Sequence, residues 1–235
     1  METALTAVLA VLPILVALAW VRRKDRANPE PRGPMIRLFL LGVLSVIPAV
    51  ALELGLMALG GESRMPPGCM PLYKAFVAAA FVEEGLKYLL LRRFVFRKPH
   101  FDERMDGIVY AVMAGMGFAF LENVLYVAGS GLPVAVARAF TSIPMHACAS
   151  AFMGYHLGRA RFLGPRKAAR AAAAGFVLAV LLHGLYDTFL FGMPVWGSFS
   201  GLGILPLLVL ALIAVKRMVR HALEADAARG SVPTD

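Results

Sequence analysis

Apolar runs follow one another along this chain with only short polar breaks between them. They fall at about 4–21, 36–59, 72–91, 107–128, 133–157, 171–191 and 199–215. A helix needs roughly 20 mostly apolar residues to cross a bilayer, and each run comes near that length. Hydrocarbon offers no water to backbone amides, so spanning segments of this kind are helical. The expectation is an all-α, polytopic membrane protein with about seven transmembrane helices. Composition agrees, with 59% of the 235 residues hydrophobic and 17% charged, where a soluble domain carries about 25% charged residues. No long polar linker, repeat or low-complexity stretch divides the chain. Residues 1–220 read as a single transmembrane domain and 221–235 as a short, fraying cytoplasmic tail.

A net charge of +9 can signal nucleic-acid binding, but here its placement excludes that. Arg22, Arg23, Lys24, Arg26, Arg32 and Arg37 follow the first run. Arg92, Arg93, Arg97, Lys98 and Arg104 follow the third; Arg159, Arg161, Arg166, Lys167 and Arg170 follow the fifth; Lys216, Arg217 and Arg220 follow the last. The alternate connections, 60–73, 129–132 and 192–198, hold only Arg64. Cytoplasmic loops carry the Lys/Arg excess, so the N-terminus is expected outside and the C-terminus inside, in the cell membrane. The first run is expected to be a retained span and not a secretory signal, because its positive cluster follows the apolar core instead of preceding it. Cys69 on the outer side and Cys148 deep in the fifth run are not expected to pair.

Against this apolar background the ionisable residues stand out. Glu83 and Glu84 are adjacent within Ala75–Leu91, and other runs hold Glu122, His146, His183 and Asp187. Each such group at bilayer depth costs kilocalories. At about 1.5 Å per residue, Glu83 lies roughly 14 Å below the outer end of its run, His183 about 13 Å, Glu122 about 9 Å and His146 roughly 12 to 20 Å. A shared level argues for one site. Glu83 and Lys87, four apart, place an ammonium beside a carboxylate on one helical face. His183 and Asp187 share a face in the same way, and the acid can hold the imidazole in one tautomer. Pro144 is placed to bend the fifth run, and Gly115, Gly117, Gly154 and Gly158 allow close helix approach. A lone intramembrane histidine is as readily a packing residue as a ligand, and Glu53, near the outer end of its run, reads at least as readily as a snorkelling or packing residue as a catalytic one. His100, His156 and His221 fall at the boundary and take no role. Trp20 and Trp196 suit interface anchors.

Several stretches resemble the PrsW family of intramembrane proteases: Phe81-Val-Glu-Glu-Gly-Leu-Lys-Tyr88, Gly117-Phe-Ala-Phe-Leu-Glu-Asn-Val-Leu-Tyr126, Arg138-Ala-Phe-Thr-Ser-Ile-Pro-Met-His146 and His183-Gly-Leu-Tyr-Asp187. Asn28-Pro-Glu-Pro31 and Met105-Asp-Gly-Ile-Val-Tyr110 are similar to the family as well, so the resemblance runs from about 25 to 190. It implies hydrolysis of a peptide bond in a membrane-anchored protein, such as an anti-sigma factor trimmed on its outer side during stress signalling. Related CAAX prenyl proteases carry His where this chain has Glu122, so ligand sets do not transfer between branches. The residues suit the chemistry, which needs an activated water, a base and oxyanion stabilisation. The expected roles are Zn2+ on Glu122, His146 and His183, with Glu83 activating the water. Glu84 and Lys87 modulate that base, and Asp187 fixes His183. A metal-free mechanism would use the same glutamates, with the histidines and Asn123 hydrogen-bonding the water and oxyanion. A proton-coupled transporter is the alternative reading, but the chain lacks the repeats and paired broken helices typical of one.

Overall fold

The computed structural model describes residues 2–60 and 65–230. Arg64 lies outside them. The described residues are helical, with no strand among them. In chain order they form α1 (Glu2–Lys24), α2 (Arg32–Gly60), the single turn α3 (Met70–Leu72), a π-helical stretch (Tyr73–Ala80), α4 (Phe81–Phe94), α5 (Arg104–Phe140), α6 (Ser142–Ala160), α7 (Pro165–Trp196) and α8 (Ile204–Gly230).

Segments Leu5–Lys24, Arg32–Gly60, Arg104–Ala160, Pro165–Trp196 and Ser198–Arg229 are long and apolar enough to cross a membrane, which makes five. The third apolar run of the sequence is not among them. It is split between the π-helical stretch and the 14-residue α4, whose interior holds Glu83, Glu84 and Lys87. The segment Arg104–Ala160 joins two apolar runs. At Gly131 the backbone takes φ 73°, ψ −161°, a conformation that side chains disfavour and glycine accepts. A second break follows at Thr141 (φ −125°, ψ −64°), where α6 begins. Pro144 therefore sits in the first turn of α6, where its missing N–H costs little. The bend expected at the proline comes three residues earlier.

The core is built on close backbone contacts. A Cβ on Gly107 would come 2.2 Å from the Gly154 carbonyl oxygen and 2.6 Å from the Gly158 nitrogen. One on Gly115 would meet Ser150 Oγ at 1.9 Å. Low numbers on α5 thus face high numbers on α6, so the two helices run antiparallel with backbones touching. On the other side of α5, a Cβ on Gly117 would lie 2.0 Å from Phe39 O and one on Gly42 2.2 Å from Ala114 O. This is how helices associate where no hydrophobic effect drives them together. The flanks carry the opposite pattern. Leu44, Ile47, Leu54, Leu205 and Leu210 point outward, as a surface solvated by lipid tails requires.

The Lys/Arg-rich connections gather at one end. Arg161 Nε donates to Phe101 O at 3.0 Å, and the backbone N–H groups of Arg104 and Met105 donate to Asp226 at 2.9 to 3.0 Å. Asp226 belongs to α8, which continues as helix past Arg217 to Gly230. The fraying expected there is not seen through Gly230, because Asp226 satisfies the start of α5 and the Arg229 guanidinium stacks over Phe162 at 3.9 Å. Residues 231–235 of the expected tail lie outside the described residues.

Candidate active site

Glu83, Glu84 and Lys87 occupy the first two turns of α4 and are buried. The preceding π-helical stretch sets their direction, and wide turns of this kind are frequent at functional sites. Phe76 from that stretch lies on Gly184, where a Cβ would meet the ring at 2.4 Å. This contact seats the start of α4 beside His183. His146 enters from the first turns of α6, directly after the break at Thr141. His183 and Asp187 come from α7, and Glu122 and Asn123 from α5.

The histidine rings meet edge to face with centroids 5.0 Å apart. Glu83, Glu84, His146 and His183 each offer a ligand atom within 4.8 Å of the others, and all four residues are buried. The Lys87 ammonium stands among them, 2.7 Å from Glu84 Oε1, 3.3 Å from Glu83 Oε2 and 3.1 Å from His146 Nδ1. A second layer lies outside the rings. Glu122 Oε2 is 2.7 Å from His146 Nε2, and Asp187 Oδ2 is 3.2 Å from His183 Nε2. A carboxylate at Nε2 accepts the ring N–H there, so the Nδ1 lone pair of His146 accepts from the Lys87 ammonium, while the contact of His183 Nδ1 with Glu84 Oε1 needs a proton between them that a metal would displace. Those inner nitrogens face the acids of α4: His183 Nδ1 is 3.0 Å from Glu84 Oε1, and His146 Nδ1 is 4.0 Å from Glu83 Oε2.

A cavity of about 180 Å³ opens beside the cluster, lined by Glu83, Glu122, Arg138, His146, His183 and Asp187, with Glu53 reaching in from α2. Glu84 and Lys87 are buried behind it. Of the residues read from the sequence, Glu83, Glu84, Lys87, His146, His183, Asp187 and Glu122 therefore come together. Glu122 stands apart from the donors that share one centre and touches the far nitrogen of His146. Asn123 does not line the cavity: its Nδ2 donates to Ala10 O at 2.9 Å and its Oδ1 accepts from Arg138 Nε at 2.8 Å. Arg138 stands in the sequence only as the first residue of a stretch that resembles the family, with no role of its own. It lies in the wall of the cavity, with a guanidinium nitrogen 2.9 Å from Glu122 Oε2. A buried arginine inside an apolar run was the signal that could have found it.

The donor set suits a metal ion. Two imidazoles with carboxylates are zinc ligands, the inner nitrogens are turned toward one centre, and Glu84 Oε2 is buried without a hydrogen-bond partner. The Lys87 ammonium engages two of these donors, Glu84 Oε1 and His146 Nδ1, so a metal ion bound there would take its place between them.

The comparisons with known proteins agree with this chemistry. The PrsW family of intramembrane metalloproteases matches residues 30–215. The chain belongs to the PrsW family. It is 37% identical over 212 residues to Protease PrsW of Geobacillus kaustophilus (strain HTA426), covering 90% of this chain and 91% of the relative. It is 36% identical over 187 residues to that of Clostridioides difficile (strain 630), covering 76% of each. With that of Bacillus subtilis (strain 168) it shares 35% over 188 residues, 79% of this chain and 83% of the relative. No solved structure matches. As a PrsW-family member the chain is a multi-pass membrane hydrolase, an intramembrane protease.

Proposed function

We propose that this PrsW-family protease cuts a membrane-anchored protein in the outer half of the bilayer, with Glu83 activating the attacking water and His146, His183 and Glu84 holding zinc. The observation that carries the reading is the paired arrangement of the histidines. Each has a carboxylate of its own at Nε2 and turns Nδ1 toward one of the two adjacent buried glutamates, His183 toward Glu84 and His146 toward Glu83. Glu122 is thereby assigned to orienting His146, as Asp187 is to His183.

Bound there, zinc would lower the pKa of a water and polarise the scissile carbonyl. Glu83 is the acid of the pair that lines the cavity, so it takes a proton from the water as the water oxygen attacks the carbonyl carbon. It then returns that proton to the departing amine nitrogen, a sequence that turns one peptide bond and one water into a carboxylic acid and an amine. Arg138 lies in the cavity wall, tied to Glu122 and Asn123, and its fixed charge stabilises the oxyanion. Lys87 offsets the adjacent charges of Glu83 and Glu84.

In this reading the chain crosses the membrane seven times with its Lys/Arg-rich end in the cytoplasm, and a transmembrane anti-sigma factor is the kind of substrate it takes. The level of Glu83, Glu122 and His183 nearer the outer ends of their runs supports cleavage at the outer boundary. The test is reconstitution with a single-span substrate and mapping of product termini by mass spectrometry. Termini at the outer juxtamembrane boundary or just within it are expected, and cuts confined to the cytoplasmic tail would overturn the proposal.

A further inference from the structure

A second group of acids lies at the Lys/Arg-rich end, away from the protease site. Asp25, Glu103 and Asp106 offer oxygens within 4.8 Å of one another, and so do Glu30, Asp102 and Asp106. Asp106 is common to both sets and is 0% exposed. Its Oδ2 accepts the backbone N–H groups of Asp102 at 2.7 Å and Glu103 at 2.6 Å. Its Oδ1 is buried with no hydrogen-bond partner. Asp25 and Glu30 are buried as well. Among the described residues, no lysine or arginine is ion-paired with any of these acids, and His100 Nδ1 stands 4.0 Å from Glu30 Oε2. A cavity of about 390 Å³ leads from the surface past Arg22, Arg23 and Arg26 to Asp25 and Glu30.

A buried carboxylate oxygen without a partner, amid other carboxylates with no lysine or arginine ion-paired to them, is suited to a cation. The donors are all oxygens, with neither sulfur nor an inward imidazole lone pair, which selects hard ions over zinc. We propose that Asp25, Glu30 and Asp106, edged by Asp102 and Glu103, bind a hard divalent cation, Ca2+ or Mg2+. The ion joins the α1–α2 connection, which carries Asp25 and Glu30, to the start of α5. Because Asp226 of α8 caps that same start, one ion would brace three segments of the chain. A proton shared between Glu30 and Asp106 would satisfy Oδ1 equally well, but it would create no cation site.

The Tyr110 hydroxyl donates to Glu30 Oε2, so a lanthanide in this site would lie beside a tyrosine. The experiment is Tb3+ titration of the full-length protein in detergent, read as tyrosine-sensitised luminescence, followed by competition with Ca2+ and Mg2+. Saturable emission displaced by Ca2+ or Mg2+ is expected, together with a higher Tm in the competing ion, since a ligand bound only by the folded state stabilises it. Asp106→Asn should weaken Tb3+ affinity by about tenfold or more, because lost ligand charge lowers affinity for hard cations. Glu30→Gln should do the same while leaving the backbone contacts of Asp106 in place, which guards against a folding defect in the first variant. His146→Ala should leave the signal unchanged. Unsaturable emission, emission retained in Glu30→Gln, or no displacement by either ion would overturn the site.

Discussion

Two carboxylates outside the proposed metal centre sit on the outer nitrogens of both its histidines. Glu122 and Asp187 each sit on an Nε2 atom, and partners of this kind cost about 10- to 100-fold in metal affinity when removed. Asp187→Asn and Glu122→Gln should each weaken zinc binding by that factor, measured by competition with a chelating dye; unchanged affinity in both would remove the orienting role. Arg138→Gln should lower kcat by about 10²- to 10³-fold, the usual loss for one oxyanion donor, with zinc content preserved. At this scale the sequence was most legible where chemistry and spacing coincide. Glu83, Lys87, His183 and Asp187 follow from i, i+4 spacing and depth. Asn123 and Glu122 show the limit: both were readable as site residues, but only packing decides that Asn123 spends its amide on Ala10 O and Arg138.

Helix pairs without side chains between them have no room for any. Gly107 and Gly154 lie on opposing backbones of α5 and α6, and each Cβ would come 2.2 Å from the other's carbonyl oxygen. Gly154→Ala should therefore destabilise the fold by about 1–3 kcal/mol, the usual cost of overpacking, read as a lower denaturation midpoint in detergent. Gly33→Ala, where nothing lies within 4 Å, is the control and should leave the midpoint unchanged; equal midpoints for both variants would contradict the close crossing. The length of the apolar runs announced these helices, and their glycines announced the crossings. The π-helical stretch was not legible, because Tyr73–Ala80 reads locally as any apolar helix and its widened turns accompany the packing of Phe76 on Gly184. The break at Thr141 was displaced to Pro144 for a related reason. A proline signals a helix start or a kink equally well, and only the surrounding fold chooses between them.

At the scale of the whole molecule, the apolar runs carried the class of the protein and the alternation of Lys/Arg-rich and Lys/Arg-poor connections its expected topology, and the contacts among Arg161, Phe101, Arg104 and Asp226 gather the Lys/Arg-rich ones at one end. Which end faces the cytoplasm is a property of the membrane as much as of the chain. An Arg166→Cys variant, with Cys69 and Cys148 replaced, should react with an impermeant thiol reagent only after the membrane is opened; labelling from outside intact cells would invert the topology. The continuation of α8 to Gly230 was hidden for the opposite reason, since Asp226 gains its role only from a contact with Arg104 across most of the chain. The central claim is that a zinc ion and Glu83 act together within one buried site. Its most direct test is zinc content measured beside substrate cleavage on the same purified preparations of wild type, Glu83→Gln and His146→Ala. The account predicts zinc with cleavage in the wild type, zinc without cleavage in Glu83→Gln, and neither in His146→Ala. Cleavage by wild-type protein that carries no metal and resists chelators would contradict it.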